Sequence, residues 1–182
     1  ATQEAAKKAW LDSRTVWGQT EVFRFYEGPI DDAEYGVEGL INAWPLDEAY
    51  IDYVEGNAKA GIINDTVGFP EITEKVLLSA NEDGSETNVS TGFHAIEFLL
   101  WGQDFSATGP GERPYTDYVV GKGVNAERRA QYLSAATSLL VKHISIVRDA
   151  WDPKVADSYG AQFASQDVNE GLTKVLKGMS SL

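Results

Sequence analysis

Gly92-Phe93-His94-Ala95-Ile96-Glu97-Phe98-Leu99-Leu100-Trp101-Gly102 decides how this chain folds, because an apolar run, a helix stop and one of only two histidines coincide there. Asn88 or Ser90 can cap a helix at this point, and Gly102 suits the residue after its last turn, where positive φ is common. Phe93, Ile96, Phe98, Leu99, Leu100 and Trp101 make the segment apolar almost all round, which places it in the middle of a core. His94 and Glu97 are three residues apart, so they leave one face about 60° from each other, close enough to share a ligand. A carboxylate in low dielectric must protonate, pair with a cation or bind a metal. The pair is therefore expected to project together into a shielded pocket. An imidazole nitrogen and a carboxylate oxygen so placed form a half-site for zinc or iron that needs two or more further ligands. A lone HxxE is also found as a hydrogen-bonded pair in a core or on a surface.

Upstream, apolar and small residues at Ala6, Ala9, Trp10, Ser13, Val16, Trp17, Thr20 and Phe23 fall at a period near 3.6 and predict a first helix from Thr2 to about Phe25. On it Glu21 can reach Arg24 at i,i+3, with Arg14 two turns earlier. Glu21 is then either one half of a surface ion pair or a further ligand facing the His94 helix. Residues 26–44 hold too many breakers for a regular element and predict a long loop with one short helical turn. Asp47 caps a second predicted helix, Glu48 to Ala60, with Asp52 and Glu55 toward water. Pro70 opens a further helical stretch through Leu78, and Asn81 to Glu86 is a polar linker.

Downstream of Gly102, the run from Gln103 to Pro114 is irregular, and Arg113 is expected to fold back over the end of the central helix. Asn125 caps a long helix whose stripe is Tyr132, Leu133, Ala136, Leu139, Leu140, His143, Val147 and Trp151, closed by Pro153. His143, alone on that apolar stripe, reads as a core residue rather than a ligand. Two shorter helices follow, Lys154 to Ala164 and Asp167 to Leu182. Sustained period-2 alternation is missing. The fold class is all-α: an up-and-down helical bundle of four principal helices with long irregular loops, one domain over residues 1–182.

Composition narrows the functions. Fifteen basic against 28 acidic residues leave a net charge of −13, which repels nucleic acid and anionic lipid and attracts cations. With no cysteine there is no thiolate metal site, disulfide or cysteine nucleophile. Gly109 and Gly111 lack the strand and the GK[ST] of a phosphate loop. No run approaches the roughly 18 apolar residues of a membrane span. The start at Ala1-Thr2-Gln3 fits a mature form whose leader has been removed.

The quoted stretch resembles the GxHxxE signature of the imelysin-like (peptidase M75) family of iron-regulated envelope proteins. Trp17-Gly18-Gln19-Thr20-Glu21 with Gly28-Pro29-Ile30-Asp31, then Asn42-Ala43-Trp44-Pro45-Leu46-Asp47, Arg113-Pro114-Tyr115 and Arg128-Arg129-Ala130-Gln131-Tyr132 continue the likeness in order. The resemblance implies a cation site at His94 and Glu97, with Glu21 as a further donor, holding a divalent metal, iron before zinc. It implies a cell-envelope protein, periplasmic or outer-membrane-associated, working in iron uptake beside other envelope components. It also implies a second, C-terminal bundle, so that these residues form the N-terminal half of a two-bundle protein. Two other readings stand beside this one: a zinc-dependent metallopeptidase, whose third ligand and general base are not evident here, and a non-catalytic module binding a ligand or partner.

Overall fold

A computed structural model describes residues 2–26 and 28–181, and within them helices and turns make up the whole of the regular structure apart from one isolated bridge, Val54 to Asn57. The central helix, α6 (Gly92–Trp101), is the hub. Seven of its ten residues are buried, Phe93, Ala95 and Leu99 completely. It lies between α1 (Gln3–Gly18) and α7 (Ala126–Ala150). On the α1 side, the Trp10 indole donates to Phe93 O at 2.9 Å and meets the Phe93 and Trp101 rings edge-on. On the α7 side, Tyr132, Ala136 and Leu139 close the core, and the buried Tyr132 hydroxyl donates to Ser90 O at 2.9 Å.

The start of α6 differs from expectation. Thr91 is its N-cap residue, and it makes no capping bond with its own side chain. The Asn81 carboxamide does the work instead: its Oδ1 accepts from the backbone of Ser90 and Thr91 and from the Thr91 hydroxyl. Asn81 follows α5 (Glu74–Ala80), itself capped by Thr73, so one polar side chain joins two elements. Gly92 has φ +83°, and a β-carbon there would sit 2.5 Å from Ile41 O. At the other end Gly102 stops the helix at φ +69°, as the sequence predicts.

The first helix is shorter than its pattern. The backbone leaves the α-helix after Gly18, where the Thr20 hydroxyl bonds back to Trp17 O at 2.7 Å, and a separate 3₁₀ turn covers Glu21–Phe23. The loop beyond contains one short helix, α2 (Glu38–Ile41).

The predicted helix from Glu48 to Ala60 is a single turn, α3 (Glu48–Ile51), capped by Asp47 as expected. The chain turns at Asp52 because α4 (Gly61–Asn64) docks on it; a β-carbon at Gly61 would fall 2.2 Å from Ile51 C. Asp52 is therefore fully buried, contrary to the solvent-facing place that a continued helix would give it. Its carboxylate accepts from Arg113 Nη1 at 2.8 Å, from Arg129 Nε at 2.7 Å and Nη2 at 3.0 Å, and from Asn64 at 3.1 Å. Asp117 supplies the second anion, bonded to Arg113 at 3.1 Å and to the Tyr53 hydroxyl at 2.6 Å. Two buried guanidinium groups thus meet two carboxylates, with every charge compensated.

That cluster fixes the irregular 102–118 segment over the end of α6, since Arg113 N–H also donates to Trp101 O at 2.8 Å. Beyond α7, the chain forms α8 (Tyr159–Ser165) and α9 (Val168–Ser181). Four described helices are ten residues or longer: α1, α6, α7 and α9. The last of them seats on the Glu21–Phe23 turn through Gly178, where a β-carbon would lie 2.3 Å from Val22 O. No described helix is long and apolar enough to cross a membrane.

Candidate functional site

Only two residues of α6 between Gly92 and Leu100 escape burial, and they are the two that carry chemistry. His94 Nδ1 lies 3.2 Å from Glu97 Oε2, with side-chain exposures of 17% and 45%. The pair does converge, as its i,i+3 spacing predicts. The surroundings are more open than expected: His94 and Glu97 form part of the wall of a cleft of about 700 Å³, not the interior of a shielded pocket.

The other walls come from distant segments. Trp10 and Leu11 extend from α1, Trp44 and Leu46 from the loop before α3, and Gly102, Asp104, Pro110 and Gly111 from the segment that Arg113 holds down. Gly111 is needed there because a β-carbon would stand 2.6 Å from Trp101 O. Trp44 packs on the imidazole with ring centroids 4.9 Å apart, while the indole itself stays 71% exposed. Among the described residues three carboxylates, Glu48, Glu97 and Asp104, line the cleft, and no lysine or arginine does. Such a wall attracts positive charge and disfavours anions.

Two of those carboxylates already have partners. Glu48 Oε2 accepts from Gln103 Nε2 at 2.8 Å, and Asp104 Oδ1 from the Ser106 backbone at 2.8 Å. His94 and Glu97 have each other. Two donors about 2.1 Å from one ion and 3.2 Å apart subtend an angle of roughly 100°, between octahedral and tetrahedral values, so the pair fits two positions on a shared cation. The same separation serves a hydrogen bond from Nδ1–H to the carboxylate, which leaves Nε2 as the free imidazole donor.

Glu21 is placed elsewhere. Its carboxylate meets Arg24 Nη1 at 3.2 Å, and the same guanidinium reaches Glu38 at 3.2 Å. Among the described residues no three side chains of the histidine, cysteine, aspartate and glutamate set gather as a metal site, so Glu21 does not join His94 and Glu97. His143 is buried on α7, where desolvation, helped by the neighbouring Lys142, holds its imidazole below the ordinary value of 6.5. It behaves as the core residue that its stripe implies.

The cleft's aromatic and acidic walls were not singled out from the sequence. Trp44-Pro45 marks a chain reversal, and the Trp44–Pro45 peptide is cis. Yet nothing local ties Trp44, Glu48 or Asp104 to His94, since each arrives through a long-range contact.

Comparison with known proteins agrees with the motif. The imelysin (peptidase M75) family model matches residues 1–182. Iron-regulated protein A of Synechococcus elongatus is 33% identical over 110 residues, a stretch that is 60% of this chain but 22% of that longer protein. With a family model matched along its entire length and the GxHxxE segment intact on its central helix, the chain belongs to the imelysin family.

Proposed function

We propose that this chain is a cation-binding component of a cell-envelope iron uptake or homeostasis system, with His94 and Glu97 as its metal donors. The observation that carries the reading is their convergence at 3.2 Å on a cleft that, among the described residues, is lined by three carboxylates and no basic side chain. An imidazole and a carboxylate suit ferrous iron or zinc. A bound ion would supply charge to neutralise Glu97 and a coordination centre for a ligand in the cleft. The chain's own residues set its approach: the acidic wall draws it in, Trp44 restrains the imidazole, and Gln103 and Ser106 keep Glu48 and Asp104 oriented.

Two protein donors give weak binding, with the remaining positions filled by water or by donors from a second bundle of the same protein. Hydrolytic zinc sites take three protein ligands and an open position, and the described residues assemble no such trio. The binding role is therefore favoured over peptidase activity. Family membership, and a relative whose name records iron regulation, support the assignment to iron and the envelope.

The test is anaerobic calorimetry with Fe²⁺ and Zn²⁺ on the native chain, His94→Ala and Glu97→Gln. Loss of either donor should weaken binding about tenfold or more. Equal affinity in all three proteins would refute the site, and chelator-sensitive cleavage of unfolded substrate lost in Glu97→Gln would restore the peptidase reading.

A further inference from the structure

Helix α9 has one face seated and another left bare. Gly171 and Gly178 are buried, and a β-carbon at Gly178 would lie 2.3 Å from Val22 O and 2.9 Å from Arg24 O, so the helix is fixed on the Glu21–Phe23 turn. About a quarter-turn round its axis, Val168, Leu172, Leu176 and Met179 follow one another at helical spacing, 80%, 55%, 54% and 58% exposed. Apolar residues exposed singly mean little, but four in one stripe make a patch of the kind that marks an interaction surface. Held at Gly178, α9 cannot roll over to bury it.

Beside the same turn the chain carries the complementary shape. A cleft of about 690 Å³ runs between α1 and α7, with Val16, Trp17 and Thr20 on one wall and Ile144, Val147 and Trp151 on the other. These spacings make each wall a single helix face. Two helix faces set opposite each other form the groove that receives a ridge of side chains from a third helix. Phe23 lines this groove while the backbone on either side of it holds α9, so groove and ridge adjoin. Among the described residues Arg148 is the one charged side chain on the walls, and Asp149 pairs with it at 2.7 Å. The groove shares no residue with the His94 cleft.

We infer that this face docks a second copy of the chain, the α9 stripe of each copy entering the α1–α7 groove of the other. A two-fold contact needs one surface that carries both complementary shapes. Here they stand side by side, and an axis passing beside the Glu21–Phe23 turn brings each ridge over its partner's groove. Charge selects the same face. A net charge of −13 sets two copies against each other over most of their surface, whereas the groove walls are neutral and α9 holds one acidic residue, Glu170, against Lys174 and Lys177. A stable interface takes about 800 Å² from each partner, and in a reciprocal pair every copy gives both a ridge and a groove toward that area. The inference is independent of any metal at His94.

Sedimentation equilibrium of the native chain, from micromolar to millimolar concentration, should show a reversible monomer–dimer equilibrium. Val16→Glu on the groove wall and Leu172→Lys on the ridge change residues that are more than half exposed, so far-UV circular dichroism should stay native in both. Each variant alone should raise the dissociation constant about a hundredfold or more. An equimolar mixture of the two should dimerise again, because the mixed pair keeps one native ridge in one native groove and sets lysine against glutamate in the other. A native chain that stays monomeric at every concentration overturns the inference, leaving the groove to an occupant of another kind. So does a dimer insensitive to Val16→Glu, which would mean ridge packed on ridge, and so does a mixture that fails to re-form it. Divalent-ion affinity, unchanged in both variants, bears on the His94 cleft alone.

Discussion

Replacing Asp52 by asparagine tests the account of how the cleft is held. The substitution conserves shape and can still accept a hydrogen bond, but it removes one of two anions facing Arg113 and Arg129, all but closed off from solvent at 0–1% side-chain exposure for the three. Asp117 then faces two guanidinium groups alone, and a net buried positive charge results. Breaking one partner out of such a cluster costs about 3–5 kcal/mol. With a urea m-value of ~2 kcal/mol/M, the unfolding midpoint should fall by about 2 M, and the thermal midpoint by roughly 10 °C for a chain of this size. Because Arg113 ties the 102–118 segment over α6, Asp52→Asn should also loosen that segment, raising hydrogen exchange at Gly102, Gly111 and Arg113. Adding Arg129→Gln, which restores charge balance, should cost less than the sum of the single changes. A midpoint shift below about 0.5 M, or strictly additive effects, would refute the idea that charge compensation holds this part of the fold.

Three further outcomes follow from the same structure. His143 is held below 6.5 by burial, so the unfolded chain binds its proton first; stability should be complete above pH 6.5 and decline as pH falls from there toward the depressed value, by at most about 1.4 kcal/mol per pH unit, and His143→Gln should flatten urea midpoints measured between pH 7.5 and 5. Leu99→Ala, at a fully buried position between α1 and α7, should cost about 2–5 kcal/mol by equilibrium unfolding, and a loss under 1 kcal/mol would argue against α6 as the hub. Gly178→Ala gains helix propensity but drives a methyl to within 2.3 Å of Val22 O; α9 should become the first site of limited proteolysis, and an unchanged digestion pattern would show that the contact is dispensable.

The readable parts of this fold were those written in local pattern. Phe93 to Trp101, bounded by Gly102, declares a buried helix because the apolar residues leave no polar face, and Asp47 and Pro153 declare ends through capping and a missing N–H, whereas the helix expected to open at Pro70 begins only at Glu74, behind a Thr73 cap. Misreadings arose where tertiary contact overruled propensity. Tyr50, Tyr53 and Val54 continue a helical stripe, but the docking of Gly61 on Ile51 bends the chain and carries Asp52 inward to two arginines that lie 61 and 77 residues away. The site was legible to the same extent. His94 and Glu97 share a helix, so spacing alone brings them together, whereas the place of Glu21 depends on where the chain turns after Gly18, and there it finds Arg24. Trp44, Glu48 and Asp104 reach the cleft through a tertiary arrangement that no periodicity encodes.

The indole of Trp44, packed on the imidazole yet 71% exposed, makes the molecule its own reporter. Its emission senses whatever changes the charge or electron count at His94: protonation of the ring should dim it, and a paramagnetic ion seated there should quench it strongly. Comparing the native chain with Trp44→Phe isolates that signal from the other four tryptophans, so occupancy can be followed by light alone, on the timescale of mixing and without labelling the protein.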